Sequence, residues 1–259
     1  MNTNTFEEIT VLPGNNRNGD PEGFDEIRIK PGDTLSIVGP TGSGKSAFIN
    51  DIEIFANRDS VTGRQILING GQPPEDFIRD PARKPVAMIT QNTRCLCDLS
   101  VEEFLLMHTR SRGFHGQDLV GCTIDLANQF TGEAIRRTVR MTQLSGGQTR
   151  SLMVADAILI SNTPIILLDE VENAGIFKER VIQALRTYHK ALLFVTHDPL
   201  VSLLSDRRIV MQDGAVAKVI TPNGSEHLVL KQMMAYDNAI SQVRELIRAG
   251  ELITTTIPA

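Results

Sequence analysis

The stretch Gly39-Pro40-Thr41-Gly42-Ser43-Gly44-Lys45-Ser46, followed by Ala47, decides the fold. The apolar run Thr34-Leu35-Ser36-Ile37-Val38 before it has the pattern of a short buried strand, and the residues after it can begin a helix. A strand, a glycine-rich loop and a Lys-Ser pair that opens a helix together form a phosphate-binding loop. Glycines let such a loop curl so that successive N–H groups face one anion, and the helix N-terminus adds the positive end of its dipole. We therefore predict that residues 39–47 bind nucleotide phosphates, that Lys45 reaches the outer phosphates, and that the Ser46 hydroxyl coordinates Mg²⁺.

The composition is that of an ordinary globular protein. Of the 259 residues, 41% are hydrophobic and 22% are charged. The formal net charge of −5 provides no overall basic field, so no nucleic-acid partner is expected. No apolar run reaches the ~18 residues of a membrane helix, and the N-terminus shows no signal-peptide pattern. We therefore expect a cytoplasmic protein, in which any membrane role depends on a separate partner.

Patterns typical of strands alternate with patterns typical of helices. Apolar runs with the character of strands lie at residues 9–11, 27–29, 34–38, 65–68, 86–90, 164–170 and 191–196. Between Asn92 and Gln143 the pattern is helical, with one helix starting at Asp98 or Ser100 and a second predicted at 124–130. Gly113, Gly116 and Gly121 are expected to interrupt the chain between these two helices. Strands that alternate with helices predict a parallel sheet covered on both faces. We divide the chain into a nucleotide-binding core (1–91 and 144–225), an inserted helical subdomain (92–143) and a C-terminal helical tail (226–259).

Polar side chains follow several of the predicted core strands. Gln91 ends one strand, Asp169 and Glu170 end the next, and His197 follows the last. Ligands of open parallel sheets bind at the carboxyl ends of the strands, so these residues should converge with Lys45 on one crevice. Asp169 suits a magnesium contact, Glu170 is placed to act as general base, and His197 can position the attacking water or sense the terminal phosphate. The alternatives are a solvated surface acid at Glu170 and a structural histidine at His197.

A further motif, Leu144-Ser145-Gly146-Gly147-Gln148, precedes a predicted helix. Together with the motifs above, it makes the sequence resemble the ATP-binding cassette (ABC) ATPase family from about residue 24 to 214. That segment is similar to the family signature, which is far more specific than the phosphate loop. Gln91 resembles the Q-loop glutamine, which places it among the catalytic and magnesium-binding residues. Asp169-Glu170 resembles the end of the Walker B strand, and His197 resembles the switch histidine. The resemblance implies an α/β fold: a P-loop NTPase (RecA-like) core with a mostly parallel sheet, an N-terminal antiparallel β part and an inserted helical subdomain.

The resemblance also implies an ATPase that uses ATP and Mg²⁺ and works as a dimer. Two cassettes of the family bind two ATP molecules head to tail, and the signature of one subunit caps the nucleotide held by the phosphate loop of the other. Ser145, Gly146 and Gly147, with Gln148, can present a hydroxyl and N–H groups at a helix start. One chain carries one signature and one loop, so a homodimer or a paired homologue is expected. Hydrolysis would open the dimer and move a partner.

Two functions are consistent with these motifs. We favour the nucleotide-binding subunit of an ABC transporter, held at the inner face of the cell membrane by a separate permease. The alternative is a soluble ABC ATPase that drives assembly or remodelling of a cytoplasmic complex, as the iron–sulfur assembly ATPase does. The segment Val171-Glu172-Asn173-Ala174-Gly175-Ile176 favours this alternative, because it departs from the family's D-loop and has Ile176 in place of the aspartate. A DNA-repair ABC ATPase is disfavoured, because the chain has no long coiled-coil insertion, zinc module or basic surface.

The residue that contacts the adenine is not evident from the motifs. No aromatic residue lies between Gly14 and Gly23, which leaves Phe6, Phe24 and the guanidinium of Arg17 as candidates. The sequence also departs from the family pattern after the signature, where Asp156 stands at a position that is often arginine in the family.

Two features outside these motifs have more than one interpretation. Cys95 and Cys97 lie just past Gln91, and their C-x-C spacing favours ordinary thiols over a metal or redox site. In the tail, apolar residues recur at alternating steps of four and three, at Val229, Met233, Tyr236, Ile240, Val243 and Ile247. This stripe fits a helix packed on its own cassette, or a helix that stabilises a dimer or binds a partner.

Overall fold

The computed structural model describes residues 6–93, 95–114, 118–170 and 176–253, and the strands in these ranges form two sheets. The strands are β1 (Ile9–Leu12), β2 (Ile27–Ile29), β3 (Thr34–Val38), β4 (Gln65–Ile68), β5 (Val86–Thr90), β6 (Ile165–Asp169), β7 (Ala191–Val195), β8 (Arg207–Gln212) and β9 (Ala215–Ile220). The helices are α1 (Lys45–Glu53), α2 (Glu75–Arg79), α3 (Val101–Ser111), α4 (Asp118–Phe130), α5 (Gly146–Leu159), α6 (Lys178–Thr187), α7 (Pro199–Leu204) and α8 (Gly224–Arg248), with a 3₁₀ turn at Met141–Gln143. The predicted strands are therefore confirmed, and β8 and β9 are additional to them.

The larger sheet has the strand order β5-β6-β7-β3-β8-β9. Its first five strands are parallel, and β9 pairs with β8 in antiparallel fashion. The central strands are continuous apolar runs because both of their faces are covered, as in β6, where Ile165 to Leu168 are at most 1% exposed. β8 and β9, the last two strands at one end of this order, escape prediction because half-exposed and charged residues interrupt their apolar pattern.

Two hydrophobic clusters cover the two faces of this sheet. One contains Phe48, Ile49 and Ile52 of α1 together with apolar residues of the small antiparallel sheet, whose order is β2-β1-β4. The other contains apolar residues of α3, α4, α5 and α6. The mostly parallel core sheet and the N-terminal antiparallel β part are thus both present, and the predicted fold class is confirmed.

The predicted helices between residues 92 and 143 are present, with one difference in their bounds. α3 begins where predicted, because the Ser100 hydroxyl accepts from the Glu103 N–H at 3.3 Å and the Glu103 carboxylate accepts from the Ser100 N–H at 2.8 Å. α4 begins at Asp118 rather than at 124, so Gly121 lies inside a helix instead of interrupting the chain. Packing of the apolar face of α4 on α5 outweighs the ~1 kcal/mol that a helical glycine costs. The division into core, subdomain and tail stays a prediction.

The C-terminal tail forms the long helix α8, which contacts α7 and is joined to β8 by an Arg208–Glu226 ion pair of 2.9 Å. The predicted apolar stripe is not buried by the cassette: Val229, Tyr236 and Ile247 are 47%, 49% and 59% exposed. Residues 254–259 of the predicted tail lie outside the described residues. Among the helices described, none has the length and apolar character needed to cross a bilayer.

Candidate functional site

The glycine-rich loop follows β3 and is pressed against the turn between β8 and β9. Gly39 and Gly44 have φ angles of +150° and +100°, which side-chain-bearing residues rarely adopt. A Cβ atom at Gly39 would lie 2.3 Å from the carbonyl oxygen of Met211, and one at Gly44 would lie 2.9 Å from the Cα of Gly214. The Gly214 N–H also donates to the Ser43 carbonyl at 3.0 Å. The loop therefore needs glycine at both positions for conformation and for space.

The groups inside the loop suit an anion. Lys45 is only 5% exposed, and its Nζ donates to the carbonyl oxygens of Gly39 and Pro40, both at 2.9 Å. The buried Ser43 hydroxyl has no hydrogen-bond partner among the described residues. An ammonium group, an uncommitted hydroxyl and the N–H groups of a helix start are the groups that bind a polyphosphate. The loop thus fits the phosphates of a nucleotide, and Ser46, at the start of α1, is exposed beside it.

The strand register brings the other predicted residues to the same edge of the sheet. Asp169 pairs with Thr90 on one side and with Val195 on the other, and Val195 pairs with Ile37 of β3. Gln91, Glu170 and His197 follow these strands, just as the phosphate loop follows β3. The sequence-based expectation that these residues converge agrees with this register, whereas their catalytic and metal-binding roles stay predictions.

Glu170 and His197 are in direct contact at this edge. Their Oε1 and Nε2 atoms are 3.3 Å apart, and the two side chains are 42% and 48% exposed. Glu170 has a φ angle of +51°, and its N–H donates to the Val195 carbonyl at 3.1 Å. A non-glycine residue in this region stores about 1–3 kcal/mol of strain. The strained turn directs the carboxylate out of the strand and toward the histidine.

Gln91 is exposed and lies in a tight turn, in which the Thr93 N–H donates to the Thr90 carbonyl at 3.1 Å. Arg150 of α5 donates from Nη2 to the Gln91 carbonyl at 2.8 Å. Burial lowers the pKa of the Arg150 guanidinium from its usual value. The helix that carries the signature is therefore hydrogen-bonded to the Gln91 turn within one chain, a link that the motifs do not indicate.

The signature residues begin α5. The Ser145 hydroxyl accepts from the Gln148 N–H at 3.2 Å, and the Gln148 side chain accepts from the Ser145 N–H at 2.9 Å. Further hydrogen bonds of Ser145 and Gln148 go to Glu133 and to the Ala134 carbonyl. Ser145 and Gly146 are exposed and Gly147 is half-buried, so this helix start faces solvent.

Of the three candidates for the adenine contact, only Arg17 lies at the phosphate loop. Its side chain donates to the Gly42 carbonyl, and its N–H donates to the Asp213 carbonyl at 3.1 Å. Phe6 lines a cavity with Pro85 and Pro164, which precede β5 and β6, so it lies at the opposite edge of the sheet. Phe24 is half-buried and packs against the core.

The structure shows the surroundings of two residues, Ile176 and Asp156, at which the sequence departs from the family pattern. Residues 171–175 of the unusual D-loop lie outside the described residues, and Ile176 is half-buried in a β-bridge with Thr131. Asp156 is 6% exposed, and its Oδ1 lies 2.8 Å from Nδ1 of His108 on α3. The atypical acid therefore joins α5 to α3.

The Sγ atoms of Cys95 and Cys97 are 3.2 Å apart, and both residues are half-buried. Burial is the main cause that raises the pKa of the Cys95 thiol. In the described part of the chain, no group of three or more His, Cys, Asp or Glu residues is placed to hold a metal ion.

Comparison with known proteins identifies the family. The sequence profile described as ABC transporter matches residues 25–173, which is more than half of the chain. This chain belongs to the ABC transporter family. An uncharacterized ABC transporter ATP-binding protein of Methanocaldococcus jannaschii, MJ0121, is 46% identical over 249 residues, which cover 96% of this chain and 95% of that relative. The energy-coupling factor transporter ATP-binding protein EcfA1 of Streptococcus agalactiae is 30% identical over 203 residues, or 76% of this chain and 71% of EcfA1.

Solved structures agree with the fold of an ABC cassette. The ADP conformation of the ATP-binding cassette MJ1267 superposes with a TM-score of 0.61 at 19% identity, covering 88% of this chain and 96% of that one. A dimeric post-hydrolysis state of the cassette MJ0796, bound to ADP and Pi, superposes with a TM-score of 0.60 at 24% identity, covering 83% and 99%. The protein is therefore an ABC-type ATPase, the nucleotide-binding subunit of its family.

Proposed function

We propose that this ABC ATPase hydrolyses ATP in sites shared by two copies of the chain and thereby powers a membrane transporter. The observation that carries the proposal is the Glu170–His197 contact of 3.3 Å at the sheet edge that also bears the phosphate loop. A carboxylate beside an imidazole, both partly exposed, suits activation of a water molecule next to a bound phosphate.

The chain's own groups divide the work of the reaction. The phosphate loop orients the nucleotide through its N–H groups and Lys45, which would exchange its carbonyl partners for phosphate oxygens. Glu170 takes a proton from the attacking water, and His197 holds that water or the terminal phosphate in place. Mg²⁺, held by the oxygen atoms of Ser46, Gln91 and Asp169, would neutralise charge on the outer phosphates.

The position of the signature supports the proposed dimer. Ser145 and Gly146 are exposed at the start of α5, and the N–H groups of Gly146 and Gly147, in its first turn, have no partner within the helix. A helix start of this kind binds phosphate, so the signature of one subunit closes the site on the other subunit's phosphate loop. We propose Arg17 as the planar group that contacts the adenine, because it is the candidate that lies on the loop.

The transporter role is favoured by the relatives. EcfA1 is named as a transporter component. The structure of cbiO1 from Clostridium perfringens, described as part of the ABC transporter complex cbiONQ, superposes with a TM-score of 0.63 at 19% identity. We propose a permease partner that contacts the segment around residues 92–100 and holds this ATPase at the inner face of the membrane. Neither relative supports the soluble remodelling role. Recovery of the protein with the membrane fraction, rather than with the cytosol, tests this assignment.

Glu170→Gln tests the catalytic assignment. The amide keeps the shape of the side chain and removes its basicity, so we expect turnover to fall by about 10²–10⁴-fold. ATP binding should persist, and an ATP-bound dimer should accumulate because hydrolysis no longer separates it. Phosphate release and light scattering measure the two effects, with the exposed Glu75→Gln as the matched control. Hydrolysis by Glu170→Gln at the wild-type rate would show that Glu170 is not the base.

Lys45→Ala tests the binding step independently. We expect it to lose nucleotide binding, because it removes the buried cation inside the loop. Undiminished ATP affinity in this variant would refute the proposed role of the loop.

A further inference from the structure

Arg64, just before β4, is a fully buried arginine with two buried carboxylate partners. Its Nε and Nη2 atoms donate to Glu22 at 2.8 and 2.7 Å, and its Nη1 donates to Asp51 at 3.1 Å. The side chains of Arg64 and Glu22 are 0% exposed and that of Asp51 is 3% exposed. Buried ion networks gain little stability over apolar packing, so their retention calls for another explanation.

One branch of this network reaches the helix that begins in the phosphate loop. Asp51 lies in α1, six residues after Lys45, and its Oδ2 also accepts from the Thr62 hydroxyl at 2.8 Å. The guanidinium carbon of Arg64 lies 5.1 Å from the ring centroid of Phe48, which is also in α1. Arg64 therefore holds α1 by a charge pair and by a ring contact.

A second branch reaches the turn between β8 and β9. Arg64 donates from Nη2 to the Gly214 carbonyl at 2.9 Å, and Glu22 Oε1 accepts from the Val216 N–H at 2.7 Å. Gly214 is the residue that donates to the Ser43 carbonyl and lies directly against Gly44. The same guanidinium group thus fixes the main chain that presses on the phosphate loop.

A third branch reaches the segment that carries Arg17. Glu22 Oε2 accepts from the Gly14 N–H at 2.9 Å, and the Glu22 N–H donates to the Gly14 carbonyl at 3.0 Å. These bonds close the loop 14–22, which places Arg17 against Gly42 and the side-chain stem of Arg17 against Gly214.

We infer that Arg64 is a positioning residue for the nucleotide: through Asp51, Glu22 and Gly214, it holds the phosphate loop between α1 and the β8–β9 turn and fixes Arg17 over the loop. This inference rests on the proposed nucleotide-binding function. A loop that is already ordered loses less conformational entropy when a ligand binds, so the network raises nucleotide affinity without touching the nucleotide.

Arg64→Met is the primary test, with Arg79→Met as its control. Arg79 also pairs with a carboxylate, Glu75, but both side chains are 76% exposed. ADP affinity is measured by calorimetry at a temperature where circular dichroism shows each protein to be folded. We expect Arg64→Met to bind ADP at least about tenfold more weakly, because its loop must then be ordered at the expense of binding free energy. Arg79→Met should match the wild type.

Hydrogen exchange of the nucleotide-free proteins gives a second readout. The Gly214 N–H, which bonds to the Ser43 carbonyl, should exchange faster in Arg64→Met while the amides of the central strands keep their protection. A purely structural role would instead lower the melting temperature and leave both ADP affinity and the protection of this amide unchanged, and that result would overturn the inference.

If Arg64→Met does not fold, Asp51→Asn tests the positioning role of the network instead. It keeps the paired bonds between Arg64 and Glu22 and weakens the bonds that Asp51 of α1 accepts from Arg64 and Thr62, so a smaller loss of ADP affinity is expected. A folded Asp51→Asn protein with wild-type affinity and wild-type exchange at Gly214 would overturn the inference. A wild-type protein that binds no nucleotide would instead overturn the proposed function, together with the inference that rests on it.

Discussion

Replacing Gly39 by alanine should damage the phosphate loop more than any comparable change at a solvent-facing glycine. The new methyl group would stand 2.3 Å from the Met211 carbonyl oxygen and 2.7 Å from the Ser43 hydroxyl oxygen. The carbonyl belongs to a strand of the central sheet, so it cannot move aside as a flexible side chain would. The φ angle of +150° adds backbone strain that glycine does not have.

The size of the effect follows from these two contributions. A residue with a side chain in such a conformation costs about 1–3 kcal/mol, and overpacking of a rigid site costs about 1–3 kcal/mol. Gly39→Ala should therefore lower the free energy of unfolding by about 2–6 kcal/mol. Gly32→Ala is the matched control, because its φ angle is +94° but a Cβ there meets nothing within 4 Å. It should carry the strain contribution alone, about 1–3 kcal/mol.

Urea unfolding followed by circular dichroism measures the difference between the two variants. ADP titration adds a second comparison, since relief of the clash at Gly39 must displace either the loop or the end of β8. We expect weaker ADP binding in Gly39→Ala and unchanged binding in Gly32→Ala. Equal losses of stability in the two variants, with equal ADP affinities, would refute the conclusion that contact with β8 determines the shape of the loop.

Two further predictions concern groups near the site. Arg17→Ala should weaken ATP binding but leave the affinity for inorganic triphosphate nearly unchanged, because Arg17 is proposed to contact the base; parallel competition titrations measure both, and equal losses would contradict that role. Cys95 should react with iodoacetamide more slowly than the exposed Cys122 at pH 8, because its raised pKa leaves less thiolate at that pH, and its rate should climb further as the pH rises. Peptide mass spectrometry over a time course compares the labelling rates of the two thiols. Faster labelling of Cys95 than of Cys122 would contradict the conclusion that burial keeps the Cys95 thiol protonated.

The elements predicted best are those whose pattern has one physical cause. The run Ile165–Asp169 is apolar up to its final acid because both faces of β6 are covered, and a helix on the protein surface would not use such a run so uniformly. α4 shows the limit of this reasoning. Gly121 suggests an interruption when only local propensity is considered, and the packing of α4 against α5, which overrides that propensity, involves residues distant in sequence.

The candidate nucleotide site likewise has a part that can be predicted from the sequence and a part that cannot. Its proposed chemical groups lie in short motifs, so Lys45, Glu170 and His197 can be proposed from spacing and from the strands that precede them. The frame that holds these groups is not local: Arg64 is 42 residues from Glu22 and 150 from Gly214 in sequence. A charged residue next to a strand normally indicates a solvated surface, and only the folded chain shows that this arginine is buried.

The shape of the phosphate loop depends on these residues that are distant from it in sequence. Gly39 and Gly44 are constrained on their outer side by the end of β8 and by the β8–β9 turn, and only the inner side of the loop is left for phosphate. The position of the turn is in turn fixed by Arg64 and Glu22, which are also tied to α1 and to the Arg17 segment. A displacement of the main chain of any one of these elements should therefore alter the space between the other two. Binding of phosphate at the loop and of the base at Arg17 should consequently be coupled through residues that contact neither group.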